Sequence, residues 1–342
     1  MTKQTRYFMA GSAAVIVAGL GVGLAAYYTG GFPSLSASRT GPAELAYVPA
    51  DSPVVAYANV REVMNSSLRQ QFKQSMPDRT DEGQREFQQR TGIDIERDID
   101  YVVAAMAGPE TQGEHDPNGL VVARGRFNTG LLETLARDHG GVVEEYKGKR
   151  LVTVSERRQD SGTPDDTDRR HHGAITLAFL EPGLVGIGSQ AAIKSAIDAQ
   201  LTAHSITSND AMMELVSDIE SGNNAWAVGR FDAIANQTHL PDEIRSRIPA
   251  VKTFAVMSHI DGGLTGTLRA ETRDEQSAEN LRQVVQGFLA LGRMQAQSDP
   301  KVAAMLQSLQ LSGSGTTVAL SFAVPAEVFS LMGQAHRNGN QR

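Results

Sequence analysis

The run from Phe8 to Tyr28, FMAGSAAVIVAGLGVGLAAYY, holds no charged residue, and Lys3 and Arg6 precede it. Crossing a hydrocarbon core takes about 20 apolar residues, whereas the apolar region of a signal peptide is about 7–15 long. The run therefore predicts a single transmembrane helix over residues 8–28. Gly11, Gly19, Gly21 and Gly23 would weaken such a helix in water, but in lipid the backbone bonds to itself and tolerates glycine. Tyr27 and Tyr28 stand where an interfacial aromatic pair belongs, and the two preceding cations favour a cytoplasmic N-terminus. Everything after the run is then expected across a bacterial inner membrane, on its extracytoplasmic or periplasmic side. A cleaved signal is the competing reading, because Ser34 and Ser36 form a small-x-small pair well past the run. Gly19 and Gly23 have the G-x-x-x-G spacing that lets helices approach in lipid, though small residues are common in any anchor.

Composition narrows what lies beyond the anchor. Residues 1–28 carry two cations and no acid, so the net charge of −7 becomes −9 without them. A mildly acidic chain with no basic cluster argues against nucleic acid as a partner. The sequence contains no cysteine. Disulfides, thiolate metal sites, a thiol nucleophile and a lipid-bearing cysteine are thereby excluded. An exported domain of this kind stands on its hydrophobic core alone, which its length permits.

Along the chain, Gly30 to Pro42 is rich in Gly, Ser and Pro and reads as a linker over 29–43, with order beginning near Glu44. Strands are expected at 54–60, 100–106 and 120–126, and hairpins at 142–155 about Lys147-Gly148-Lys149 and at 174–188 about Glu181-Pro182-Gly183. Further strands are expected at 224–230, 251–260, 264–271, 309–311 and 316–324. Helical spacing of apolar residues marks 61–75, 128–139, 189–200, 209–220 and 274–297, with Asn128, Ser189 and Asn209 as caps. Residues 156–173 carry four arginines, five acids and no aliphatic side chain, the composition of a solvated loop.

Residues 54–155 read as strand, helical stretch, two strands, helix, two strands, and 224–324 read the same way. VVAYANVREV (54–63) then lies over AWAVGRFDAI (225–234). The fold class expected is α+β: an anchor, then a duplicated domain of antiparallel sheet and helices, with halves at 44–205 and 206–335 and a tail at 336–342. Each strand opening a unit is apolar on both alternating faces and is expected centrally in a sheet of its own.

Four stretches, AELAYVPADSPVVAYANVREVMNS, TGIDIERDIDYVVAA, GIGSQAAIKSAIDA and SHIDGGLTGTLRAETRDEQSAENLRQVV, resemble a family of uncharacterised bacterial envelope proteins over most of residues 43–335. The resemblance implies an N-terminal anchor and an exported domain; it brings no active-site residues.

No nucleophile elbow, P-loop, HExxH or EF-hand loop occurs. Asp94, Glu96, Asp98 and Asp100 alternate in DIERDID. On a strand they would line one face as a hard-cation site, whereas a mixed helix-and-turn path would scatter them. Arg126 and Arg230 end strands and could clamp an anion, with pairing to nearby acids the expected alternative. His171 and His172 are adjacent, the wrong spacing for a ligand pair on a strand, and the other histidines are scattered. Trp226 lies in an apolar strand and is expected in the core. No catalytic, cofactor-binding or metal-ligating residue and no cofactor is assigned. Two functions fit: a membrane-tethered, non-catalytic binding or scaffolding domain for an envelope protein or apolar ligand, or an envelope hydrolase built from scattered acids and histidines. Convergent ionisable groups in a deep pocket would mark the hydrolase, and an apolar groove or exposed patch without them the binder.

Overall fold

The computed structural model describes residues 41–75, 88, 93–106, 119–138, 140–154, 174–219, 221–231, 251–295 and 306–326. The predicted anchor over 8–28 and the predicted loop at 156–173 lie outside them. Among the described residues no helix is long and apolar enough to cross a membrane.

Twelve strands form one sheet: Val54–Ala58 (β1), Ile99–Met106 (β2), Gly119–Gly125 (β3), Val142–Tyr146 (β4), Lys149–Val154 (β5), Ile175–Glu181 (β6), Leu184–Gly188 (β7), Ala225–Arg230 (β8), Val251–Ile260 (β9), Gly263–Thr272 (β10), Gln310–Ser312 (β11) and Thr317–Pro325 (β12). Their order is β11-β12-β10-β9-β8-β1-β2-β3-β7-β6-β5-β4, and every pairing is antiparallel. The hairpins close on the turn residues the sequence offers. Lys147 and Gly148 both take positive φ between β4 and β5, and Gly183 takes φ 71° after Pro182 between β6 and β7. Gly183 also lies against β3, where an added Cβ would stand 2.7 Å from the Gly125 carbonyl oxygen.

The registers align one residue from each strand in a row across the sheet. From one edge to the other it reads Gln310, Ser321, Thr267, Met257, Trp226, Tyr57, Val103, Val122, Gly186, Ala178, Leu151, Glu144. Because side chains alternate between faces, this row defines one face, here the tyrosine face. Its middle is apolar and must be covered; its β10–β12 end carries hydroxyls and an amide and can stay wet.

Helices α5 (Gln190–Thr202) and α6 (Asp210–Ser217), with the 3-10 segments Ala43–Tyr47 and Ile206–Ser208, cover that middle. Ser189 and Asn209 cap the two helices through Ala192 N and Met212 N. Ala192, Ile193, Ala196 and Ile197 form the buried stripe of α5, which rests on β3, β6 and β7. Gly186 lets Ile193 come down onto the sheet, since a Cβ there would stand 3.1 Å from the Ile193 side chain. Lys194 and Asp198 of α5 reach Glu144 and Tyr146 of β4 on the same face.

The opposite face carries α1 (Val60–Asn65), tied by Arg61 to Asp100, and α4 (Thr129–Asp138), tied by Glu133 to Arg150. It also carries α7 (Glu275–Gln295), which packs on β10–β12 where Ala270 and Val318 are buried. The predicted helix at 61–75 is two helices, α1 and α2 (Ser67–Ser75). Ser66 takes an extended ψ of 148°, and its hydroxyl accepts from Arg69 N to start the second.

The expectation of two separate sheets is corrected. The two opening strands, β1 and β8, pair with each other at the centre, with Ala56 opposite Ala227, Val54 opposite Gly229 and Ala58 opposite Ala225. Burial on both of their faces is thus met inside a single sheet: all five residues of β8 before Arg230 are buried. The hairpin β6–β7 is inserted between β3 and β5.

Candidate functional site

Besides the polar contacts between α5 and β4, two places on the tyrosine face hold polar groups in numbers, and they differ in access. The first is enclosed. Glu44, 2 % exposed, sits on the 3-10 segment Ala43–Tyr47 directly above β3. Arg124 of β3 donates to its Oε1 from Nε at 2.8 Å and Nη2 at 2.6 Å. Arg124 also donates to the Pro182 carbonyl at 3.3 Å and lies 3.6 Å from Glu181. Tyr47 completes the link by donating to Glu181 at 2.8 Å. Behind this pair stand Tyr101, Tyr57 and Trp226, with Tyr57 stacked on Trp226 at 5.6 Å and tilted against Tyr101 at 5.8 Å. Burial pushes the Tyr101 hydroxyl up to about 12, with the Glu44 carboxylate adding to the rise. Burial and the Glu181 carboxylate raise Tyr47, and burial raises Tyr57. The cluster is a clamp: it fastens the first described segment onto the sheet.

The acids of DIERDID are not brought together. Residues 95–98 form a single helical turn (α3, Ile95–Asp98), and each acid has its own task. Asp94 accepts from Glu96 N, Asp98 from Asp94 N, Glu96 pairs with Arg69 at 3.1 Å, and Asp100 pairs with Arg61. Among the described residues no group of three or more His, Asp and Glu could hold a metal ion. Arg126 donates to the Arg97 carbonyl rather than to an acid, and Arg230 is exposed. His204 is exposed, His259 Nδ1 lies 2.8 Å from the Gly222 carbonyl, and His115, His139, His171, His172, His239 and His336 fall outside the described residues. Trp226 is in the core, as expected.

The second place is open. At the β10–β12 end of the tyrosine face lies a hollow of about 380 Å³. Met257 forms its floor beside Trp226, and Thr265, Thr267, Ser321, Gln310, Ser308 and Ala323 rise around it, with Asn223 at one side. Thr267 and Ser321 hydroxyls are 3.1 Å apart across β10 and β12. Ser308 is fixed by the backbone of Ala323, donating to its oxygen at 2.7 Å and accepting from its nitrogen at 3.0 Å. The β10 backbone under the hollow is paired on both sides, so there side chains do the presenting, while β11 is an edge strand of the sheet. No described lining residue is ionisable. The next residue on this face of β10, Arg269, is held by Asp218 at 2.9 Å. Sequence reading missed this site. Its signal was half present, in Thr265 and Thr267 alternating with Leu264 and Leu268, which marks one wet face; the partners on β11 and β12 depend on register.

No family model matches the chain, and no curated protein matches it. Among solved structures it is similar to TP0453 in its crystal form I, at 9% identity and a TM-score of 0.43, over 85% of this chain and 97% of that one.

Proposed function

We propose that the chain is a membrane-tethered, extracytoplasmic protein whose folded part binds or scaffolds rather than catalyses. The observation that carries this reading is the hollow about Met257, Thr267 and Ser321, at the end of the sheet face, whose described lining residues are uncharged and mostly polar. A pocket of about 300–1,000 Å³ is of ligand size, and this one offers orientation by hydrogen bonds without an acid, base or nucleophile pair. An apolar groove was the expected mark of a binder; the surface offered instead is polar and neutral. The tether is the uncharged run Phe8 to Tyr28 behind Lys3 and Arg6, which directs the C-terminal bulk across the bacterial inner membrane.

We further infer that the folded part arose by duplication. The second half has the strand order β8-β9-β10-β12-β11, and the first has β1-β2-β3-β5-β4 once the hairpin β6–β7 is set aside. The pairing of β1 with β8 is symmetric about Ala56 and Ala227, the same position in the two units. Helices α4 and α7 occupy the same step of each unit on the same sheet face.

Crosslinking in native membranes followed by affinity capture tests the function. A reproducible partner or ligand in near-equal amount is expected. Multiple-turnover hydrolysis of an envelope substrate by the purified chain would overturn it. For the tether, full-length protein should remain with membranes in alkaline carbonate, and a mature N-terminus near Ala37 would remove it.

A further inference from the structure

The hollow on the tyrosine face restricts its ligand by chemistry. We infer that it is a binding site for a neutral polyhydroxyl ligand, a saccharide. This rests on the binding reading above and names its ligand class.

Charge comes first. About one residue in five of the chain is charged (21%), yet none of the described residues that line the hollow is. A charged ligand entering it would lose hydration with no countercharge to replace it. A wholly apolar ligand fares no better, because it would desolvate the Gln310 amide and leave the hydroxyls only their protein partners, Thr267 with Ser321 at 3.1 Å and Thr265 on the His259 carbonyl at 3.4 Å, with their remaining hydrogen-bonding capacity unmet. A neutral ligand that both donates and accepts meets neither cost.

Geometry narrows the class further. Hydroxyls and primary amides each donate and accept. Thr265 and Thr267 stand two apart on β10, about 6.6–6.8 Å along the strand, and Ser321 stands directly across from Thr267 at 3.1 Å between oxygens. The result is a short two-dimensional lattice of hydroxyls, which matches the hydroxyl pattern round a sugar ring. Between them, Met257 and the threonine methyls give small apolar spots for the C–H faces of such a ring. A nucleoside is less well served, since base recognition relies on stacking and the one aromatic residue of the lining, Phe322, points to the opposite face. A peptide strand cannot pair beside Thr265 and Thr267, because β10 is already paired on both edges.

The single tryptophan supplies a reporter. Trp226 is paired with Met257 across β8 and β9, directly beneath one side of the hollow. The full chain, held in a zwitterionic detergent without a sugar headgroup, is titrated with neutral oligosaccharides and with their uronic-acid counterparts, following Trp226 emission and saturation-transfer NMR. Saturable binding of a neutral oligosaccharide with Kd at or below about 1 mM is expected, with its uronic-acid form weaker. Thr267→Val together with Ser321→Ala should weaken it roughly tenfold or more at unchanged melting temperature, while Thr267→Ser retains it. Equal binding of the charged form, or no loss in the double variant, overturns the inference. If no neutral saccharide binds while native-membrane crosslinking still yields a partner, the saccharide assignment falls and the binding reading stands; failure of both removes both.

Discussion

Glu44 and Arg124 show how a single pair can decide whether a segment belongs to the fold. The carboxylate is 2 % exposed, and its Oε1 takes two donors from one guanidinium. Removing one partner of a buried pair costs about 3–5 kcal/mol, because the other charge is left stranded. Arg124→Met should therefore lower stability by about that much in urea unfolding, whereas Glu44→Leu with Arg124→Met should recover part of the loss. Equal losses for the single and double variants would mean the pair is not coupled. The tyrosines behind it predict an alkaline limit. Tyr47, Tyr57 and Tyr101 all have hydroxyls raised above the ordinary value of 10.0, Tyr101 to about 12, first by burial. Above pH 10 the unfolded chain releases phenolic protons that the folded chain still holds, so the unfolded state binds fewer protons and stability falls with rising pH. That stability is whole below about pH 10 and is lost as pH rises through about 12 and beyond. Urea midpoints across the alkaline range should decline, and Tyr57→Phe should flatten the decline.

At the scale of elements, the helices that cover the sheet differ in how completely they are covered in turn. Leu132 of α4 is buried, whereas Leu281 of α7 is only half-buried among the described residues. Leu132→Ala should cost about 2–5 kcal/mol, and Leu281→Ala distinctly less. Thermal unfolding of the two variants side by side decides the ranking. Elements themselves were legible because their ends are written in local chemistry: Lys147-Gly148 and Pro182-Gly183 close hairpins, and Ser189, Asn209 and Asn128 cap helices. Strand order was not. Residues apolar on both faces say that β1 and β8 are central, but not that they are each other's neighbours. The Glu44–Arg124 pair spans 80 residues and has no local signal; attention fell on Arg126, two positions along the same chain. The hollow failed for the same reason, since Thr267, Ser321 and Gln310 meet only through two registers fixed by the whole sheet.

At the scale of the molecule, length alone would allow the halves at 44–205 and 206–335 to be independent domains, but the core speaks for one unit. A continuous buried cluster runs from Leu45 through Tyr57, Val103 and Ile193 to Trp226, Val228 and Ala255, so it draws on both halves. The seam between them is the five-residue pairing of β1 with β8, and α6 crosses it by resting on β8 while holding the 3-10 segment Ile206–Ser208 against Ala43–Tyr47. Neither half could unfold without exposing the inner edge and apolar face of the other. Calorimetry of the full chain in detergent should therefore give one cooperative transition for the folded part, with calorimetric and van't Hoff enthalpies equal. Trp226 is the sharpest probe, because it lies on β8 and stacks on Tyr57 of β1. Trp226→Ala should remove about 3–5 kcal/mol and move that one transition down as a whole. If it instead splits the transition in two, with one component left at the original temperature, the halves are separate folding units and the shared core does not couple them.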